Sequence, residues 1–140
     1  MDALDQQLIS LLRTNARTSV ATLAHRLKVS RGTVTNRITR LEDEGVIVGY
    51  TVRLRPDSQP NEICAWMSIV VEGNETRAVI ASLLGEPGVA ALHDTNGRWD
   101  LLAELRAENL NELSSVLERI RLIRGIQSTE TSIHLQTYRI

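Results

Sequence analysis

The chain has 140 residues, 42% of them hydrophobic, 24% charged and 3% aromatic, which excludes a disordered or fibrous protein and fits a globular one. Its formal net charge of −1 excludes a polycation. The charge is uneven, however: residues 1–55 carry nine Lys and Arg against five Asp and Glu, and residues 56–140 carry seven against twelve, so that only the N-terminal part, at +4, invites a polyanionic partner.

Leu4, Leu8, Leu11 and Leu12 fall at helical spacing and predict a first helix, with Asp2 or Asp5 in its first turn, where an acid suits the helix dipole. After the break "NARTS", Thr18 or Ser19 caps a second helix with the stripe Val20, Leu23, Ala24 and Leu27. The turn "KVS" follows, and Ser30 caps a third helix whose stripe is Val34, Ile38 and Leu41 and which ends at Gly45. "VIVGYTVRL" then reads as a strand. "RPDSQPN", residues 55–61, holds two of the three prolines and predicts a linker between domains 1–54 and 62–140.

Beyond the linker, "EICAWMSIVVE" reads as a strand, and "NETRAVIASLLGE" as a helix capped by Asn74, with Val79, Ile80, Leu83 and Leu84 inward. "PGVAALHD" is a turn and a strand, Asn96-Gly97 is a hairpin signal, and "RWDLLAELRA" is the next strand. Asn109 and Glu112 are spaced as a capping box for a last helix, and "IQSTETSIHLQTYRI" is a last strand. The order β-α-β-β-α-β predicts an α+β, ferredoxin-like domain. Its first strand is apolar on both faces: Ile63, Ala65, Met67, Ile69 and Val71 alternate with Cys64, Trp66 and Val70. With both helices on one side of the sheet, the other side would be greasy, which predicts a homodimer through this domain.

The third helix carries the functional signal. Its charges oppose its own dipole, with Arg31, Arg37 and Arg40 early and Glu42, Asp43 and Glu44 last. Gly32, Asn36, Thr39 and Arg40 point away from the apolar stripe, and Thr33 lies to one side. A merely solvated helix face would favour Lys and Glu, whereas Thr, Asn and Gly are weak helix formers. Asn pairs bidentately with adenine, Arg with guanine, and Thr offers a methyl or a hydroxyl. A second helix, a tight turn and such a third helix describe a DNA-binding helix-turn-helix, with the three arginines and the helix N-terminus acting on the same phosphates.

Enzyme chemistry is poorly stocked. His25, His93 and His134 lie in three different elements without metal-ligand spacing, Cys64 sits mid-strand as a small hydrophobe, and no phosphate-cradling Gly-rich motif occurs. A single cysteine, an acidic start without a leader's apolar core and the lack of an apolar run of about 20 residues predict a cytoplasmic protein with no membrane partner and no cofactor.

The segments "LDQQLISLLRTNARTS", "LAHRLKVS" and "TVTNRITRLEDEGVIVGY", followed by the β-α-β-β-α-β order and "TNGRWDLL", resemble the Lrp/AsnC family of leucine-responsive regulatory proteins. The resemblance implies a winged helix-turn-helix joined to a ferredoxin-like domain that dimerises, assembles into octamers or other rings, and binds an amino acid or similar metabolite between dimers. It implies Ser30, Arg31, Thr33, Thr35, Asn36, Arg37 and Arg40 as the DNA set, with Arg53 and Arg55 on backbone phosphate and a structural role for Arg17. It also implies an effector loop of Asp94, Thr95, Asn96, Gly97, Arg98, Trp99 and Asp100. Asp100 would accept from a ligand ammonium and the backbone N–H groups around Gly97 would donate to its carboxylate. Arg98 departs from the family, where the residue after the glycine is often acidic. A bare type I′ turn at Asn96-Gly97 is the competing reading of this loop.

Overall fold

The computed structural model describes residues 1–55, 58 and 62–139, and the chain divides into two compact units, Met1–Val52 and Arg53–Ile140. Of the predicted linker, only Arg55 and Ser58 are among the described residues.

The first unit is three helices, α1 (Ala3–Thr14), α2 (Val20–Leu27) and α3 (Arg31–Asp43). Each begins at a side-chain cap. Asp2 and Asp5 exchange bonds with each other's backbone N–H in a capping box on α1, Ser19 accepts from the Thr22 N–H on α2, and Ser30 accepts from the Thr33 N–H on α3. Lys28 closes α2 in the left-handed conformation (φ 56°), which lets the chain turn into α3 within three residues. Leu8, Leu12, Leu23, Ala24, Val34 and Leu41 form the buried core, and Ile38 and Ile47 pack against it.

The predicted strand 46–54 does not form. After Ile47, whose N–H reaches the Leu41 carbonyl, residues 48–55 have no regular secondary structure. A strand needs a neighbour to pair its backbone, and none of the described residues supplies one. The apolar alternation is genuine but faces solvent: Val46, Val48, Tyr50, Val52 and Leu54 are all exposed, Val48 to 93%.

The second unit is a four-stranded antiparallel sheet of β1 (Ile63–Val71), β2 (Val89–Asp94), β3 (Leu101–Ala107) and β4 (Ile126–Ile133), ordered β2-β3-β1-β4. Helices α4 (Thr76–Leu84) and α5 (Leu110–Arg121) connect them as a ferredoxin-like fold requires. Val79 and Leu83 of α4 and Leu113, Val116 and Ile120 of α5 pack on Ala65, Met67, Ile69, Leu101, Ala103 and Leu105 of the sheet. Asn109 caps α5, accepting from the Glu112 N–H at 2.8 Å, while the Glu112 carboxylate takes the Glu108 N–H.

Three local expectations are corrected. Asn74 does not cap α4, because a 3-10 turn over Gly73–Glu75 leads directly into the helix and no side chain caps it. Leu84 is exposed, since it falls off the face that carries Val79 and Leu83. The last strand stops at Ile133, opposite Ala65, with one further bond from the His134 N–H to the Cys64 carbonyl at 2.9 Å; Leu135 and Tyr138 beyond it are exposed.

The helix-free side of the sheet is mixed and not greasy. Cys64, Trp66, Ser68 and Val70 are paired across the ladders with Arg106, Glu104, Leu102 and Ser128, and cross-strand partners share a face. Trp66 and Ser68 also oppose Ser132 and Glu130 on β4. The alternation of β1 was legible, but the polar residues that β3 and β4 place beside it were assigned no face. Cys64 is half-buried there, and burial raises its thiol pKa, which leaves it protonated.

Candidate nucleic-acid interface and effector loop

The exposed residues of α3 are Arg31, Gly32, Thr35, Asn36, Thr39, Arg40, Glu42 and Asp43, against the buried Val34 and Leu41. From Arg31 to Arg40 this is the outward face the spacing predicts, and apart from its two arginines that stretch exposes only short, uncharged side chains; the acids Glu42 and Asp43 follow in the last turn. Ser30 and Thr33 lie at its start, their hydroxyls 2.8 Å apart, and Ser30 spends one lone pair on the Thr33 N–H. At Gly32 an added Cβ would meet only the Ser30 hydroxyl at 3.9 Å, so the backbone there is open to close approach. Arg31 is exposed and makes no ion pair among the described residues. Arg53 is exposed in the segment without regular structure, and Arg17 is exposed, its backbone N–H held by the Asn15 side chain.

Arg37 and Arg40 do not join Arg31 as one cationic set. Arg37 Nη1 donates to Asp2 Oδ2 and to Asp5 Oδ1 (3.1 Å), and Arg40 Nη2 donates to Asp5 Oδ2 at 2.6 Å. The remaining bonds are backbone: the Asp5 N–H to Asp2 Oδ1 and the Asp2 N–H to Asp5 Oδ2. All four carboxylate oxygens are therefore occupied. Asp5 is fully buried and the Arg37 side chain only 25% exposed. The Arg37 bond and the Asp5 N–H hold the Asp2 carboxyl at a pKa of about 2. Burial would push the Asp5 carboxyl up, but the Asp2 N–H, Arg37 and Arg40 outweigh it and hold it below its ordinary value. The same bonds, from Asp2 and then Asp5, raise the Arg37 pKa.

The reversed charges of α3 thus have an intramolecular cause, since the cations lie beside the acids at the start of α1. The acids at its end have neighbours too: Glu44 lies 4.0 Å from Arg40, and Glu42 adds to the raised pKa of the Tyr50 phenol, whose first cause is partial desolvation. Asp2 and Asp5 were read only as helix-start acids. The signal for their wider role was a charge pattern on α3 that its own helix could not satisfy.

In the second unit, residues 95–100 join β2 to β3. Neither Asn96 nor Gly97 has a positive φ, so the type I′ turn is not formed and the connection is a longer loop. The Thr95 N–H bonds the Asp100 carbonyl at 3.1 Å, and the Thr95 hydroxyl donates to the Trp99 carbonyl. Asp100 continues the β1–β3 ladder: its N–H donates to the Ile69 carbonyl at 2.9 Å and its Oδ2 accepts from the Val71 N–H at 2.8 Å. The Arg98 guanidinium stands 5.4 Å from the Trp99 ring centroid, in cation–π range, while Asn96 and Gly97 are exposed. The loop therefore gathers one aromatic ring, one cation and exposed backbone N–H groups, with Asp100 Oδ1 still uncommitted.

Among the described residues, no group of three or more His, Cys, Asp and Glu stands close enough to hold a metal ion, and no helix is long and apolar enough to cross a membrane.

Residues 1–42 match the AsnC-type helix-turn-helix domain and residues 64–140 the Lrp/AsnC ligand binding domain. An uncharacterised HTH-type transcriptional regulator of Pyrococcus horikoshii is 34% identical over 143 aligned residues, covering 98% of this chain and 94% of the relative. Among solved structures, AsnC of E. coli superposes with a TM-score of 0.80 at 27% identity, covering 100% of this chain and 95% of that one. A transcriptional regulator of Neisseria meningitidis in complex with L-Met superposes with a TM-score of 0.79 at 24% identity, covering 100% and 93%.

Proposed function

Because the chain belongs to the Lrp/AsnC family of helix-turn-helix transcriptional regulators, we propose that it binds particular double-stranded DNA sequences through α3. An amino acid or similar metabolite, held at the 95–100 loop, modulates that binding. The observation that carries the DNA reading is the outward face of α3. Its short polar side chains, Thr35, Asn36 and Thr39, stand beside an unblocked Gly32 and an exposed Arg31. They are suited to base edges and costly as mere solvated surface. Ser30 and Thr33 hold the N-terminal turn, and Arg53 supplies a phosphate contact. The effector reading is supported by the ligand-binding description of the second domain and by the L-Met complex of a regulator with this fold. Backbone N–H groups around Gly97 and the Arg98 cation suit a carboxylate, and Asp100 Oδ1 suits an ammonium.

The protein acts as a homodimer or a larger assembly, an octamer or another ring. Two surfaces support this. One is the exposed apolar alternation Val46, Val48, Tyr50, Val52 and Leu54, and the other is Trp66 on the helix-free side of the sheet.

The test is binding to the DNA upstream of its own gene at about 100 mM salt, with and without each of the twenty amino acids. Asn36→Ala is expected to cost about 1–3 kcal/mol at a preferred site and to relax preference at one base pair. An equal loss on preferred and random DNA would remove Asn36 from base reading, and no sequence-dependent shift by the native protein would remove the DNA function.

A further inference from the structure

The acids of α1 set the cations of α3 apart from its reading face. Four charged groups, Asp2, Asp5, Arg37 and Arg40, meet across more than thirty residues of chain and sum to zero. The rest of α3 and its C-cap add Arg31 against Glu42, Asp43 and Glu44, so the recognition helix with its α1 partners is net negative. The other exposed cations of the first unit lie off α3, at Arg13 on α1, Arg17 in the loop before α2, and Arg26 and Lys28 at the end of α2. A phosphate that wanted Arg37 would have to strip it from two carboxylates, one of them fully buried and holding three donors. Removing one partner of such a buried pair leaves an uncompensated charge, so the exchange is unfavourable.

We propose that Asp5, with Asp2, is a positioning and specificity-determining residue: the pair clamps Arg37 and Arg40 against α1, so that α3 meets DNA with hydrogen-bonding side chains and little free positive charge. The inference rests on the DNA-binding reading. Its consequence is discrimination. Affinity for any duplex comes from phosphate contacts and carries no sequence information, whereas base contacts do. A recognition helix whose arginines were free would hold random DNA more tightly and lose preference.

The experiment measures the affinity of the full-length protein for a preferred and a random duplex across a salt series. Three forms are compared: the native protein, Asp2→Asn, and the double variant Asp2→Asn/Asp5→Asn. Releasing the arginines is expected to tighten binding to random DNA several-fold and to steepen the dependence of log K on log salt by about 0.9 for each phosphate newly engaged. The preference for the specific duplex narrows accordingly. Adding Arg37→Gln and Arg40→Gln to the double variant should return the slope to the native value, which a loss of helix packing would not do. Asp2→Asn guards against misfolding, because Asn caps a helix about as well as Asp and the residue is exposed. Circular dichroism establishes that each form is helical. A slope unchanged in folded Asp2→Asn and in the folded double variant, or a steeper slope that survives the two glutamines, overturns the clamp and leaves DNA binding standing. A native protein without salt-dependent affinity for either duplex overturns the DNA reading and the clamp with it.

Discussion

The two units of this chain are stabilised in different ways. The first has a core of six buried hydrophobic residues on three short helices and adds to it a four-residue ion cluster that ties α1 to α3. The second has a core of thirteen and four hydrogen-bonded strands and, among the described residues, one bidentate pair, in which Arg119 grips Glu86 at 2.7 and 2.9 Å and ties the turn after α4 to α5. A small helical unit cannot bury enough apolar surface to fix one arrangement, and charged groups with defined geometry supply the register. The sheet obtains its register from backbone ladders and alternation, so its polar groups are free for other uses. In the first unit the residues that fix the register, Arg37 and Arg40, therefore lie on the same helix as those proposed for recognition. In the second, the loop proposed for the effector lies outside the core.

The largest expected effect tests whether the units stand independently. Leu41 is almost fully buried in the smaller core, and Leu41→Ala should cost about 2–5 kcal/mol. That is a large share of what six core residues provide. Hydrogen exchange read segment by segment should lose protection throughout α1, α2 and α3 while β1 and β3 keep native values. Simultaneous loss in both units would show one cooperative molecule and break the comparison.

A smaller effect separates backbone freedom from packing. Gly45, at the end of α3, and Gly125, before β4, both have positive φ, 70° and 100°. A Cβ at Gly45 would meet nothing within 4 Å, whereas one at Gly125 would lie 2.5 Å from the Glu75 Cβ. Gly45→Ala should therefore cost only the left-handed penalty, about 1–2 kcal/mol. Gly125→Ala adds overpacking of about 1–3 kcal/mol. Urea denaturation of the two variants should rank them in that order, and equal losses would mean that the packing around Glu75 yields freely.

What the sequence revealed follows the same division. Ser30 and Asn109 were legible as caps because a cap is decided within four residues, and the strand order followed from the succession of periodicities. The face of α3 was legible because Val34, Ile38 and Leu41 orient it. The partners of Arg37 and Arg40 were not, since they lie 32 to 35 residues away and a single sequence offers no register between α1 and α3. Charge reversal on α3 signalled that a partner was needed, and the geometry supplies Asp2 and Asp5 as partners within the chain. The segment 46–54 shows the converse: its alternation is that of a strand, but pairing is not a local property. At Asn96-Gly97 a strong turn signal was overridden because Asp100 is drawn onto the end of β1.

The smallest predicted effect bears on the ion cluster directly. The fold lowers the Asp2 carboxyl from 3.8 to about 2 and lowers Asp5 as well, so the native state favours their ionised forms. Their contribution is fully present above pH 4 and is lost as pH falls through the folded value, when the native state must take up protons it had shed. Glu86 is likewise held below its ordinary value, first by Arg119, so acid weakens the second unit too and the native protein alone cannot apportion the loss. Asp2→Asn can: the amide keeps the cap but does not titrate. Between pH 5 and 2.5 the melting temperature of the native protein should fall more steeply than that of Asp2→Asn, with the two curves converging at the acid end. Parallel curves would mean that the Asp2–Arg37 pair contributes nothing to stability. The contacts that orient α3 would then narrow to the buried Asp5, which could hold both arginines without its exposed neighbour.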